Sequence, residues 1–248
     1  MPATACNKIF VIAYSGSEGG QLNITLNNIS VIDNYDSTTS GFRPPEFLLK
    51  KDNKLSAKLS STDDNKTLIA QVELFKSCQD KVHQPPGDND NVIATITLDS
   101  VGEKEVSFDI ASLPDYSYLS ASVNDDTESL LKAIESMKDT IRNRDLKGYI
   151  SFLEPMIKDL VLEQAPPEEM IRNMMDQLLS DQFVLKDTSA LSVRAVLNGK
   201  AYEVTDKEGY APIQFVPQGE SDGMMMPDKI SQSKYWIHYN GRWQVLRQ

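Results

Sequence analysis

Tyr235-Trp236-Ile237-His238-Tyr239, Asn240-Gly241 and Arg242-Trp243-Gln244-Val245-Leu246 make up the stretch that decides the fold of the second half of this 248-residue chain. Two aromatic-rich segments with side chains on alternating faces flank an Asn-Gly pair. Both central residues of a type I′ turn need positive φ, which Asn and Gly adopt at least cost, so the stretch reads as a β-hairpin. Working back from it, the two-residue apolar period predicts strands at 183–186, 191–197, 200–205 and 213–216. The closing pair spans 233–239 and 242–247, and Asn198-Gly199 marks a second hairpin.

Upstream, the pattern turns helical. The composition changes at Asn124-Asp125-Asp126-Thr127, where Asp125 and Glu128 have the spacing of a capping box. Leu130, Leu131, Ile134, Met137 and Ile141 then repeat at the helical period, and Leu146, Tyr149, Ile150 and Leu153 form a second stripe after a polar break at 142–145. Pro155 is expected to stop that helix, leaving 156–162 as a short strand. Pro166-Pro167 opens a third helix whose apolar face is Met170, Ile171, Met174, Met175, Leu178 and Leu179.

The first half reads differently. Short apolar or alternating runs at 9–13, 22–31, 55–59, 68–75, 92–98 and 106–110 are separated by Gly, Pro, Asp, Asn and Ser clusters such as Gln84-Pro85-Pro86-Gly87. Six or seven short strands fit a sandwich. The expected fold class is therefore α+β: an all-β sandwich over 1–123 followed by an α+β domain over 124–248, three helices on a curved antiparallel sheet.

Charge narrows the partners. With 36 acidic against 25 basic residues the formal net charge is -11, which argues against nucleic acid and against anionic membrane surfaces. No apolar run approaches the roughly 20 residues of a membrane-spanning helix. The first residues lack a charged segment followed by an apolar one, so cytoplasm is the expected compartment. Ala3-Thr4-Ala5-Cys6 is similar to the small-residue run before a lipoprotein cysteine, which keeps a bacterial periplasm or envelope as the alternative if a signal has been removed. Cys6 and Cys78 are too few for a metal site or disulfide scaffold and read as ordinary thiols, with one bridge between them the alternative in an oxidising compartment.

The order of helices and strands in the second half, the stretch Arg144-Asp145-Leu146-Lys147-Gly148-Tyr149-Ile150-Ser151-Phe152-Leu153, and the closing Tyr-x-x-x-x-Asn-Gly-x-Trp hairpin at Tyr235 to Trp243 together resemble the cystatin-like superfamily of nuclear transport factor two and the SnoaL-like proteins. The resemblance covers about half the chain. It implies helices over one face of a sheet, leaving a cone that members use as an active site, a ligand pocket or a docking surface. It also makes a homodimer plausible. Candidate pocket residues are then Tyr149, Phe152, Tyr235, Trp236 and His238, with His238 the first choice for acid or base work because imidazole titrates near neutrality. Asp145, Asp159 and Asp176 match no catalytic motif of that superfamily, so no catalytic residue is assigned.

No cofactor is expected. Phosphate-binding loops, nucleophile elbows, His-Glu-x-x-His and Cys-x-x-Cys motifs are absent from the sequence. Met170, Met174, Met175 and Met224-Met225-Met226 offer thioethers of the kind Cu(I) accepts, but as a helix stripe and a loop they read as adaptable apolar filler. Asp33 with Asp36, Asp63 with Asp64, and Asp88 with Asp90 offer hard oxygen ligands for calcium between strands, against the plainer reading of turn residues; no metal ligand is assigned. The favoured function is a non-enzymatic binding protein with a protein partner, as in bacterial adaptor or immunity-type proteins. A small-molecule or SnoaL-like enzymatic pocket in the second domain is the alternative, and a calcium-binding sandwich the third.

Overall fold

From Gly20 to Leu26, and from Asn53 to Leu59, every second side chain is buried, the period a strand needs to put one face in a core. The computed structural model describes residues 8–36, 41–43, 47–61, 68–78, 85–162, 167–218 and 228–247. The chain divides into two units, Met1–Leu113 and Pro114–Gln248, with the division ahead of the composition change at Asn124.

In the first unit, β1 (Lys8–Gly16), β2 (Gly20–Leu26), β3 (Ile29–Asp36), β4 (Gly41–Arg43), β5 (Asn53–Ser61), β6 (Ala70–Cys78), β7 (Val92–Leu98) and β8 (Gly102–Phe108) form two antiparallel sheets. Their orders are β4-β1-β6-β7 and β3-β2-β5-β8. Ile12, Tyr14, Val72, Leu74 and Ile96 of one sheet share a core with Leu22, Ile24, Leu26, Leu55 and Leu59 of the other, so the unit is sandwich-like. The β8 strand lies earlier than the apolar run at 106–110. Its exposed Glu103, Lys104 and Glu105 pair with β5 at a sheet edge, where charge discourages pairing with other chains. Asn27 and Asn28, at φ 52° and 64°, turn β2 into β3.

One polar side chain organises the interior of this unit. Asn53, 0% exposed, accepts from the Leu49 N–H at 2.7 Å and donates to the Leu49 carbonyl at 2.6 Å. It also accepts from the Asn27 amide at 3.0 Å. Cys78 is disulfide-bonded, the alternative to the ordinary thiol that the sequence favoured. The only other cysteine, Cys6, lies outside the described residues. Asp63 and Asp64 also lie outside them, as does the side chain of Asp36, while Asp33, Asp88 and Asp90 are exposed. Among the described residues no group of three or more His, Cys, Asp or Glu side chains is placed to hold a metal ion.

In the second unit a 3₁₀ turn at Ser117–Ser120 precedes α1 (Thr127–Arg142), α2 (Leu146–Leu162) and α3 (Glu168–Leu178). The strands β9 (Phe183–Leu185), β10 (Ser192–Val196), β11 (Ala201–Thr205), β12 (Gln214–Pro217), β13 (Ile230–Ser231), β14 (Tyr235–Tyr239) and β15 (Arg242–Val245) follow. They divide between two antiparallel sheets, β10-β11-β14-β15 and β13-β12-β9. Asn240 and Gly241 have φ of 52° and 79°, the type I′ geometry read from the sequence. No helix among the described residues is long and apolar enough to cross a membrane.

Three local expectations change. The cap of α1 is Asp126, which accepts from the Ser129 N–H at 2.9 Å, one residue beyond the Asp125 box. The strand expected at 156–162 is the second half of α2, with Pro155 inside the helix. Proline has no N–H to give the Ser151 carbonyl, and the Gln244 side-chain amide of β15 supplies that hydrogen bond at 2.7 Å. On α3, Ile171, Met175 and Leu178 are buried, whereas Met170 and Met174 are half exposed and do not join the core face.

Candidate ligand pocket

Two helical stripes and a short strand leave a space between them. On α2, Met156 and Leu160 are four residues apart; on α3, Ile171, Met174, Met175 and Leu178 repeat at three and four, so each set lies on one face of its helix. With Phe183 of β9 and the segment Ile230 to Ser233 they surround a cavity of ≈ 670 Å³. That volume falls in the range of small-molecule sites. Gln177, Ser231, Gln232 and Ser233 add uncharged polar groups to a wall otherwise made of Met, Ile, Leu and Phe.

The α3 helix is held at this position by its start. Pro167 stands at the cap, where a missing N–H costs nothing, and Glu168 and Glu169 face the positive end of the helix dipole. Glu168 also accepts from Arg172 at 2.7 Å. Across the cavity the Gln232 N–H donates to the Ile213 carbonyl at 3.0 Å, fixing the β13 segment.

Behind the wall sits Tyr149, 0% exposed. Its hydroxyl donates to the Met175 sulfur at 3.7 Å, and the Gln232 amide approaches the same sulfur at 3.8 Å. Burial raises the phenol's pKa far above the ordinary tyrosine range, and the hydrogen bond from Gln232 offsets only part of that rise. Tyr149 is therefore a neutral donor, not a base. Met175 has its sulfur engaged by two donors, which leaves it a wall residue. Met224, Met225 and Met226 lie outside the described residues.

None of the five residues singled out from the sequence lines this cavity directly. Tyr149 touches its wall through Met175 and meets Phe215 edge-on at 6.3 Å. Phe152 and Trp236 come together, ring centroids 6.5 Å apart, inside the core, where Trp236 is 0% exposed. Tyr235 points elsewhere, its hydroxyl 3.5 Å from Glu203. Burial pushes the Glu203 carboxyl up, but hydrogen bonds from Lys234 and Arg194 outweigh it and hold the group below its ordinary value. His238 Nδ1 lies 2.7 Å from the Ser122 hydroxyl, and its ring packs edge-on to Trp243 at 5.3 Å. The His238 contacts tie the segment before α1 to the sheet.

The lining residues that sequence reading missed are Met156 and Leu160, hidden by the strand expected at 156–162, and Ile230 to Ser233. The α3 positions carried a signal in their spacing. Chemically, a wall of thioethers, branched alkyl groups, one aromatic ring, amides and hydroxyls can bind and orient a ligand; among its described residues no titratable side chain faces inward to move a proton. No protein-family model matches the chain, and no curated protein or solved structure matches it.

Proposed function

We propose that this chain is a non-enzymatic binding protein whose second unit takes an apolar small molecule into the cavity between α2, α3 and the β13 segment. The observation that carries this reading is the ≈ 670 Å³ volume bounded by Met156, Leu160, Ile171, Met174, Met175, Leu178 and Phe183. Methionine side chains repack around different shapes at low cost, which suits a binder more than a catalyst. The order of three helices followed by antiparallel strands supports kinship with the cystatin-like superfamily, whose members place pockets beneath their helices. The disulfide at Cys78 favours an oxidising compartment over the cytoplasm.

The test is uptake of phenylnaphthylamine, an uncharged dye that brightens in apolar surroundings. The wild-type chain binds it saturably, and Met174→Trp, which fills the mouth at a half-exposed position, weakens uptake at least tenfold. Uptake that is absent, or unchanged in Met174→Trp, refutes the reading.

A protein partner is the second reading, favoured by Met170 and Met174, four residues apart on α3 at 53% and 50% exposure. Cross-linking in native extract should then give one reproducible adduct that Met170→Asp abolishes; an adduct indifferent to that change counts against it.

A further inference from the structure

Among the described residues, the cations next in sequence to this cavity's lining are engaged away from it, and that decides the class of ligand. Lys229 precedes the lining residue Ile230, and its ammonium lies over the Tyr210 ring. Lys234 follows the lining residue Ser233, and its ammonium is held 2.6 Å from Glu203. Arg172 follows the lining residue Ile171 and pairs with Glu168 at 2.7 Å. Lys158, between Met156 and Leu160 on α2, reaches toward the Tyr239 ring at 5.8 Å. Each cation adjacent to the wall in sequence thus points to a carboxylate or an aromatic face.

What remains at the wall among the described residues is neutral. Its polar groups among the described residues are the amides of Gln177 and Gln232 and the hydroxyls of Ser231 and Ser233, set among Met, Ile, Leu and Phe side chains. A carboxylate or phosphate entering here would lose its hydration without meeting a cation, and an unpaired buried charge is among the most costly things a protein can hold. The net charge of -11 adds a repulsive field against anions before they arrive. An alcohol, ester, amide or ketone loses far less, because one amide or hydroxyl satisfies it.

We infer that the cavity selects uncharged amphiphiles, molecules with an apolar body and a single neutral hydrogen-bonding group, and rejects the fatty-acid anions that the same apolar volume would otherwise suit. This inference rests on the binding reading above. It places Gln232 at the polar end, since its amide already bridges toward Met175 and Tyr149, and the thioether wall along the apolar body.

Dodecanol and dodecanoate test it, because they share one tail and differ in charge. Each displaces phenylnaphthylamine from the full-length chain at about pH 8, where a carboxylic acid is ionised, below its aggregation concentration. The expected result is displacement by dodecanol with a Kd at least tenfold lower than that of dodecanoate. Ser231→Lys, which puts an ammonium at an exposed position on the rim, should narrow or invert that ratio. Equal or tighter binding of dodecanoate by the wild type overturns the selectivity and leaves the pocket reading standing. A ratio unmoved by Ser231→Lys also overturns it, because charge is then not what discriminates. Failure of the dye to bind at all removes the binding reading itself, and the inference falls with it.

Discussion

Pro155 and Gln244 are coupled across the second unit, and the coupling can be measured. Inside α2 the Ser151 carbonyl has no helical donor because residue 155 has no N–H, and the Gln244 side chain, 1% exposed, donates to it at 2.7 Å. Removing that donor orphans a part-buried carbonyl, at a cost of about 1–3 kcal/mol. Gln244→Leu alone is a poor measure of this cost. The Gln244 amide oxygen is itself buried with no hydrogen-bond partner among the described residues, so leucine also relieves a penalty. A double-mutant cycle cancels that contribution. In Pro155→Ala the new N–H serves the Ser151 carbonyl as in any helix, and Gln244→Leu then orphans nothing. The expected interaction energy is about 1–2 kcal/mol, with Gln244→Leu costing more in the wild-type background than in the Pro155→Ala background. Both tryptophans, Trp236 and Trp243, belong to this unit, so tryptophan fluorescence in urea follows its unfolding alone. At an m-value of about 2 kcal/mol/M the cycle corresponds to a midpoint difference of about 0.5–1 M urea. Additivity to within about 0.4 kcal/mol would refute the claim that Gln244 is what lets proline sit inside α2.

Asn53→Leu keeps the branched shape but removes the partners of both the Leu49 N–H and the Leu49 carbonyl, so far-UV circular dichroism in urea should show a loss of about 3 kcal/mol or more; a loss below about 1 kcal/mol would mean the loop before β5 does not depend on that side chain. Asp159 is 0% exposed, and burial raises its pKa above the ordinary 3.8 despite the hydrogen bond from the Ser117 N–H at 2.8 Å. The folded state therefore holds its proton more tightly than the unfolded state, and stability falls as pH rises from about 3.8 through the raised value. Asp159→Asn should be more stable than wild type at neutral pH, with the difference closing at and below about pH 3.8; a variant less stable at neutral pH would overturn the assignment. Reducing the Cys78 disulfide should lower the stability seen by circular dichroism by about 2–4 kcal/mol, and an unchanged urea midpoint would leave the bond without a stabilising role.

What the sequence made legible was whatever a short window contains. Alternation over Gly20–Leu26 and Val92–Leu98, the helical stripe from Leu130 to Ile141 and the Asn240-Gly241 turn are local facts, since each is set by backbone sterics and by which face of one element is apolar. The failures share an opposite cause. Pro155 reads as a helix stop because the donor that lets the helix continue lies on β15, at Gln244. β8 reads late because its charged residues make sense only at a sheet edge.

The cavity was hidden for the same reason twice over. Its α2 wall, Met156 and Leu160, was read as a strand, and the β13 segment is only two residues long, too short to show any period. Aromatic alternation in the last hairpin correctly marks Trp236 as an inward residue, yet inwardness alone does not distinguish a packed core from the lining of a space. A pocket is defined by where packing stops. Here it stops where α3 turns Ile171, Met175 and Leu178 inward and leaves Met174 half exposed at the mouth, so the wall is made of the most deformable side chains the chain has. A tryptophan or histidine in those positions would have drawn notice as a site. Methionines at helical spacing read as core, and the property that makes them good core filler is the one that lets them line a cavity without closing it.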